Sequence, residues 1–196
     1  AQPYVGIAEA HFAMATAAAN AGDHPRALAE IARALDLRPD WEMAALLRAQ
    51  LEARLSAIDA IADLTAFVGR NAEAKDARLT LARLLLSEKR YGEARPHFDR
   101  LLPEFPDRPE VVYPAAMLAL QQNDFATGKK LLEKLLTGDF PDKGSLHFFL
   151  GQIDEEQKNP DGALAHYRQV LGGDQLVPAR VRTAQLLAQR GQGDDE

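Results

Sequence analysis

A small residue recurs along this chain at a nearly constant interval, and this period constrains the fold more than any other feature. The successive intervals are 34, 33, 34, 35 and 33 residues. Such a period is typical of stacked helical repeats, in which each repeat buries its apolar residues against its neighbours. It predicts a one-dimensional array with a long surface for a partner and no obvious catalytic pocket. We call the six positions the rungs: Ala15, Ala49, Ala82, Ala116, Gly151 and Ala184.

Apolar residues at helical spacing divide each interval into two amphipathic helices joined by a short turn. In repeat 1, Gly22 and Pro25 separate the two helices, and Pro39 follows the second. The sequence therefore predicts an all-α protein, a right-handed α-solenoid of five helix-turn-helix pairs and one final helix. We expect the whole chain, 1–196, to form this single array. Repeats 1 to 5 and the final helix are predicted at about 3–39, 40–73, 74–107, 108–142, 143–175 and 177–191.

Two places depart from the regular pattern. Repeat 2 has Arg48 where the other repeats have an apolar residue, and its turn near Ser56 lacks Gly, Asn and Pro. Its second helix aligns with the others only if one residue is deleted. In repeat 4, Pro114 falls inside the first helix, where it predicts either a kink or a late helix start. Of these two outcomes, the pattern favours the late start.

The second helices share a motif of a small residue, a large residue four positions later, and a further apolar or small residue. Ala27, Ile31 and Ala34 fit this motif in repeat 1, and repeats 3, 4 and 5 have equivalent residues. Together with the Leu150–Gly151 pair, the motif resembles the tetratricopeptide repeat (TPR) family over residues 3 to 191. The resemblance implies a scaffold that binds other polypeptides.

A narrower resemblance concerns residues 79–125 and 149–171, which are similar to the repeat lipoproteins of Gram-negative outer membranes. That resemblance implies an adaptor that presents substrates to a periplasmic carboxyl-terminal-processing protease. The chain contains no cysteine that could carry a lipid. The sequence leaves two locations open: the bacterial periplasm, with an outer-membrane anchor in the full-length protein, or the cytoplasm. No transmembrane segment is expected, because no apolar run approaches about 20 residues.

In a two-helix solenoid the first helices line the concave face, so two sets of first-helix positions predict a partner-binding groove. The first row is apolar: Phe12, Leu46, Leu79, Tyr113, Phe148 and Val181. The second row, one turn further along, is mostly polar: Thr16, Gln50, Arg83, Met117, Gln152 and Gln185. We expect Tyr113 and Phe148 to contribute most to binding, since aromatic residues dominate interface energetics. The aliphatic positions have an alternative role as packing residues beneath a neighbouring helix.

Nothing in the composition or the motifs predicts an enzyme, a cofactor or a metal site. The net charge of −6 argues against nucleic acid as a partner. The five histidines share no metal-ligand spacing and are interpreted as isolated surface residues or as histidines with ordinary hydrogen-bond partners. The acidic cluster Asp154, Glu155 and Glu156 is interpreted as a solvated helix face, because acid–base catalysis requires a desolvated cleft.

These observations favour a non-catalytic scaffold or adaptor that binds a polypeptide segment in its groove, as support for a protease or an envelope assembly. Two alternatives stay open. The final helix exposes apolar residues such as Leu187, which predicts homo-oligomers if it has no partner helix in the chain. The array is also compatible with the regulatory region of a larger enzyme.

Overall fold

The computed structural model describes the backbone of residues 5–193 and the side chains of residues 6–191. The first residues of the predicted repeat 1, at 3 and 4, lie outside that range. Within it the chain forms eleven α-helices and no strand. None of the described helices is both long and apolar enough to cross a membrane. The predicted all-α class is confirmed.

The chain divides into two compact units, Ala1–Leu101 and Leu102–Glu196. Within each unit every helix packs against the next one in the chain. The N-terminal unit contains α1 Val5–Asn20, α2 His24–Leu37, α3 Glu42–Ala53, α4 Ala57–Arg70, α5 Lys75–Ser87 and α6 Tyr91–Leu101. The C-terminal unit contains α7 Pro109–Gln121, α8 Phe125–Thr137, α9 Lys143–Glu156, α10 Pro160–Arg168 and α11 Leu176–Gly193. That all repeats join in one array stays a prediction.

The rungs of repeats 1 and 5 lie where the first helix of the repeat meets the second. The first five rungs are buried, and Ala184 on α11 is exposed. In repeat 1, Ala15 packs in one cluster with Ile31, which lies 16 residues later on α2. The same 16-residue step leads from Gly151 to Tyr167, whose ring lies directly over the glycine. Small rungs are needed because they let the two helix axes approach closely while a large residue fills the space beside them.

The first helices of repeats 1, 3, 4 and 5 end in the same way. Seven residues after the rung, each has a residue in the left-handed region: Gly22 (φ 79°), Lys89 (58°), Asn123 (57°) and Lys158 (57°). The amide of the next residue then donates to a carbonyl five residues back, as Asp124 does to Ala119 at 2.8 Å. This arrangement is the Schellman helix end, which satisfies carbonyls that the helix leaves open.

Repeat 2 lacks this left-handed residue, and this explains its irregular sequence. Seven residues after its rung is Ser56, whose backbone is extended (φ −155°). The Ser56 hydroxyl instead accepts a hydrogen bond from the Asp59 amide at 3.3 Å, so that it caps α4 one residue earlier than in the other repeats. The one-residue deletion is therefore confirmed, and the missing residue is the one that ends the first helix elsewhere.

The favoured expectation for Pro114 is wrong. Helix α7 begins at Pro109 and continues through Pro114 to Gln121. Pro109 occupies the first turn, where a proline loses no helical hydrogen bond. Pro114 lies in the helix interior without an amide hydrogen to donate, so α7 continues past this position with one helical hydrogen bond fewer.

Candidate binding surface on the first helices

The first row of predicted groove residues lies mainly within the helix layer. In the N-terminal unit, the Phe12 ring packs against Trp41 with centroids 4.8 Å apart, and Leu79 is buried. Leu46 is half-buried. The row therefore offers a partner little apolar surface in this unit, in agreement with the packing role that the sequence left open for its aliphatic members.

The C-terminal members of the first row differ among themselves. Tyr113 is half-buried and stacks on Phe140, with ring centroids 5.2 Å apart. Burial, and next the charge of Asp142, raise the pKa of the Tyr113 hydroxyl above its ordinary value. Phe148 is only 7% exposed and packs against Tyr167 in the core of its unit, whereas Val181 is 49% exposed. Truncating Phe148 would consequently report on core packing and not on contact with a partner.

The second row is the more accessible of the two. Its exposed members are Gln50, Arg83, Gln152 and Gln185, and its half-buried members are Thr16 and Met117. The Thr16 hydroxyl donates to the carbonyl of Phe12 at 3.0 Å, which is a bond within α1. Within each unit, the second row is thus more accessible to a partner than the first.

Part of the second row borders a cleft of about 500 Å³ in the C-terminal unit. The first helices of this unit, α7, α9 and α11, supply most of its walls. The apolar lining consists of Met117, Leu120, Phe125, Phe149 and Ile153. The polar lining consists of Gln121, Asn123, Gln152, Glu155, Glu156 and Arg182. The structure therefore brings Met117 and Gln152 into one concavity with residues that the sequence did not predict.

One of the two negative charges that line the cleft, that of Glu155, is neutralised by an arginine of the same cleft. Glu155 accepts a hydrogen bond from Arg182 Nε at 3.0 Å and another from the Tyr167 hydroxyl. Burial, together with this bond to Glu155, raises the pKa of Tyr167 well above its ordinary value. The bonds also fix the Glu155 side chain in place. The neighbouring Glu156 is exposed, so it gives the rim of the cleft an accessible negative charge.

Comparison with known proteins identifies the family. A family model described as tetratricopeptide repeat matches residues 59–109 and 113–179, together more than half of the 196 residues. The chain belongs to the tetratricopeptide repeat family. No curated protein sequence matches it significantly. The TPR assignment agrees with the rung period and with the second-helix motif.

Solved TPR structures share the fold at low sequence identity. MamA 41-end from Desulfovibrio magneticus RS-1 is 16% identical, with a TM-score of 0.73 over 84% of this chain and 93% of that one. YrrB, described as a TPR protein with an unusual peptide-binding site, is 14% identical, with a TM-score of 0.72 over 92% and 90%. PilW, described as a widely conserved type IV pilus biogenesis factor, is 18% identical, with a TM-score of 0.64 over 93% and 91%. TPR proteins are in general interaction scaffolds without catalysis.

The acidic cluster of α9 is not the solvated face that the sequence indicated. Asp154 is 2% exposed and accepts a hydrogen bond from Lys129 Nζ at 3.1 Å. Glu155 is half-buried and holds the hydrogen bonds to Arg182 and Tyr167, and of the three only Glu156 is exposed. The prediction failed because the cluster covers more than half a helical turn, so that its members point toward different neighbours.

The irregular TPR repeat 2 also contains a buried acidic group. Arg48 donates to Glu52 at 2.8 Å and also contacts Asp63 on α4. Glu52 is 8% exposed, and its Oε2 has no hydrogen-bond partner among the described residues. Burial, and next the adjacent Asp63 carboxylate, raise the pKa of Glu52 to about 7, against the opposing effect of Arg48. If Glu52 were protonated, its second carboxyl oxygen could donate a hydrogen bond to the Asp63 carboxylate.

We expect the pKa of Glu52 to make the stability depend on pH. The folded-state pKa lies above the unfolded value of 4.5, so the folded protein holds this proton more tightly. The contribution is full below pH 4.5 and is lost as the pH rises toward 7. Between pH 5 and 8, the free energy of unfolding should therefore fall by about 1–2 kcal/mol less in Glu52→Gln than in the wild type. This difference is smaller than the pKa shift alone would give, because water partly screens the cluster. Urea denaturation at each pH measures this difference, and Glu88→Gln, at an exposed position, should follow the wild-type profile.

Proposed function

We propose that this TPR chain is a non-catalytic scaffold that binds a polypeptide segment in the cleft of its C-terminal unit. The cleft is the observation that supports the proposal, because it joins two of the second-row positions to the apolar part of its lining, here called its apolar floor. Peptide-binding grooves combine pockets for apolar anchors with a few polar groups that fix the register. Met117 adds a flexible apolar contact, and Phe149 adds an aromatic one.

The lining also indicates the chemistry of the segment. Glu155 is already paired with Arg182, whereas Glu156 is exposed at the rim. A basic residue beside one or two apolar anchors would complement this charge, and the net charge of −6 favours approach of a basic segment. Gln121 and Gln152 would donate to and accept from the backbone of that segment.

The identity of the assembly is a further part of the proposal. YrrB is described as having an unusual peptide-binding site and PilW as a pilus biogenesis factor, and both share this fold. These descriptions support a peptide-binding adaptor for an envelope assembly. The resemblance to outer-membrane lipoproteins supports, in particular, an adaptor for a periplasmic protease.

The proposal is tested by filling the cleft from an exposed position. Peptides selected from a random library on the wild-type protein should bind Gln152→Trp at least 10-fold more weakly, because the indole covers the apolar floor. The matched control is Gln50→Trp, since it changes the same residue at the same second-row position in repeat 2, outside the cleft. The control should bind like the wild type, and both variants should keep the wild-type melting temperature.

Equal binding to Gln152→Trp and to the wild type would contradict the cleft as the binding site, and recovery of no peptide would contradict peptide binding itself. Glu156→Lys separately tests the charge preference and should select peptides with acidic residues. Affinity purification from the native host, with Gln152→Trp as the negative bait and Gln50→Trp as the positive one, then identifies the assembly.

Self-association through α11 is the second candidate function. Val177, Val181 and Leu187 on this helix are 70%, 49% and 46% exposed, and the rung Ala184 beside them is exposed as well. An apolar face of this kind supports an interface between copies of the chain. A molar mass in sedimentation equilibrium that stays monomeric at all protein concentrations would exclude this candidate.

A further inference from the structure

Three repeats link their two helices by a polar pair of residues that are 19 positions apart. The pairs are His11 with Glu30 at 2.6 Å, Arg78 with His97 at 3.2 Å, and His147 with His166 at 3.1 Å. Repeat 4 has Val112 and Leu131 at the corresponding positions, and both are buried. The TPR packing therefore accepts an apolar pair here. The fold does not require polar residues at these two positions, so each polar pair is specific to its own repeat.

Repeat 5 differs from the other two because both of its members are imidazoles. In repeat 1, Glu30 already pairs with His11 and with Arg33. In repeat 3, the guanidinium of Arg78 has no lone pair to offer a cation. In repeat 5, the two Nδ1 atoms face each other. Each imidazole nitrogen that is not protonated can serve as a ligand to a metal ion.

The surroundings of His166 favour the tautomer that leaves Nδ1 unprotonated. Its other ring nitrogen, Nε2, lies 3.6 Å from Oδ2 of the buried Asp154. At this distance, which is longer than a hydrogen bond, the negative charge of the carboxylate favours the proton on Nε2, the side on which metal-binding histidines usually have their carboxylate partner. Asp154 is itself held by Lys129 at 3.1 Å. The Nδ1 lone pair of His166 thus points toward His147.

We propose that His147 and His166 form a binding site for a divalent transition-metal ion of the zinc type, with water completing the coordination. Two nitrogens that are each about 2.0–2.1 Å from one ion are about 2.9 Å apart at a right angle and about 3.4 Å apart in a tetrahedron. The observed separation of 3.1 Å lies between these limits. One ion could therefore lie at an ordinary bond length from both nitrogens at their present separation. The proposal is independent of the peptide cleft.

Charge and exposure agree with this site. Both histidines are half-buried, so that an ion and its waters can reach them. Burial is the main cause of the lowered pKa of each imidazole, and the neighbouring His166 ring lowers the pKa of His147 further. The charges that act on the pair come from Lys143, Lys129, Asp154 and Glu133. No group of three or more His, Cys, Asp or Glu side chains in the described part of the chain is arranged around an ion, so the affinity should be modest.

Calorimetric titration of the full chain with ZnCl₂ at pH 7.5, without a histidine tag, tests the site. We expect one equivalent to bind with a Kd between about 1 and 100 µM, since two protein ligands hold an ion more weakly than four. The double variant His147→Val/His166→Leu copies the apolar pair of repeat 4 and should weaken binding at least 10-fold. His97→Gln removes the histidine of repeat 3 and should leave the titration unchanged.

Equal Zn²⁺ binding by the wild type and the double variant, or no binding by the wild type at 1 mM Zn²⁺, would overturn the proposal. A spectroscopic readout covers the case in which the double variant fails to fold. The EPR spectrum of the wild type with one equivalent of Cu²⁺ should show hyperfine coupling to two imidazole nitrogens, and His147→Gln should reduce this to one. Coupling to no imidazole nitrogen, or to only one in the wild type, contradicts the site.

Discussion

Replacing Gly151 with alanine should lower the free energy of unfolding by about 1–3 kcal/mol, although alanine is the better helix former. A Cβ at this rung would lie 2.5 Å from Cε1 and 2.7 Å from Cδ1 of Tyr167. The ring cannot retreat easily, because its hydroxyl donates to Glu155 and the ring packs at a tilt against that of Phe148. Urea denaturation of the two proteins measures the loss.

The other repeats indicate how the loss can be relieved. Gly151 is the single glycine among the rungs, and the residue 16 positions later in the same repeat is a tyrosine; by contrast, Ala82 is followed at that step by Phe98. A phenylalanine ring without the tether to Glu155 can shift over an alanine rung. Gly151→Ala/Tyr167→Phe should therefore recover more than half of the stability that Gly151→Ala loses. Strictly additive effects of the two substitutions would contradict this explanation.

Gly69 provides the matched control for the glycine substitution. It lies in α4, and a Cβ built there meets no atom within 4 Å. Gly69→Ala should therefore stabilise the protein by about 0.5–1 kcal/mol, because alanine loses less conformational entropy in a helix. A loss of stability in both variants would mean that contact with Tyr167 is not the cause at Gly151.

The sequence predicted the elements of this fold because they depend on local chemistry and on the repeat period. The rungs gave the number of helices, and the turn after each rung gave the helix ends, since Gly22 and Asn123 are residues that adopt the left-handed conformation most readily. The deletion in repeat 2 was visible as a break in register. Its cause was not, because Ser56 becomes a helix cap only through its extended backbone.

The candidate sites were harder to predict, because they depend on which face of a helix a neighbouring helix covers. The period aligns equivalent positions but does not fix their burial, so that Phe148 and Val181 occupy one row and yet are 7% and 49% exposed. The histidine pair joins two helices, and a search for local ligand spacing misses it. The 19-residue separation, present in three repeats, is the signal that could have found His147 and His166.

Lys129→Met should lower the free energy of unfolding by about 2–4 kcal/mol. This loss should exceed the loss caused by removing the charge of its partner, the Asp154 carboxylate. The side chain of Asp154 is 3% exposed, whereas that of Lys129 is 35% exposed. Without the lysine, the carboxylate is left buried beside the imidazole ring of His166, whose Nε2 lies 3.6 Å from Oδ2. Without the carboxylate, the ammonium group can turn toward water. The two members of this ion pair are therefore not equivalent.

Asp154→Asn tests the removal of the carboxylate while the lysine is kept. It should lower the free energy of unfolding by about 1–2 kcal/mol, because a neutral amide of the same shape loses a charged hydrogen bond but leaves no buried charge. The double variant Lys129→Met/Asp154→Asn should then be more stable than Lys129→Met alone, so that a second substitution restores stability. Chemical denaturation of the four proteins gives the coupling energy directly. If Asp154→Asn costs as much as Lys129→Met, or if the double variant is the least stable of the four, the buried charge of Asp154 is not what makes the lysine necessary.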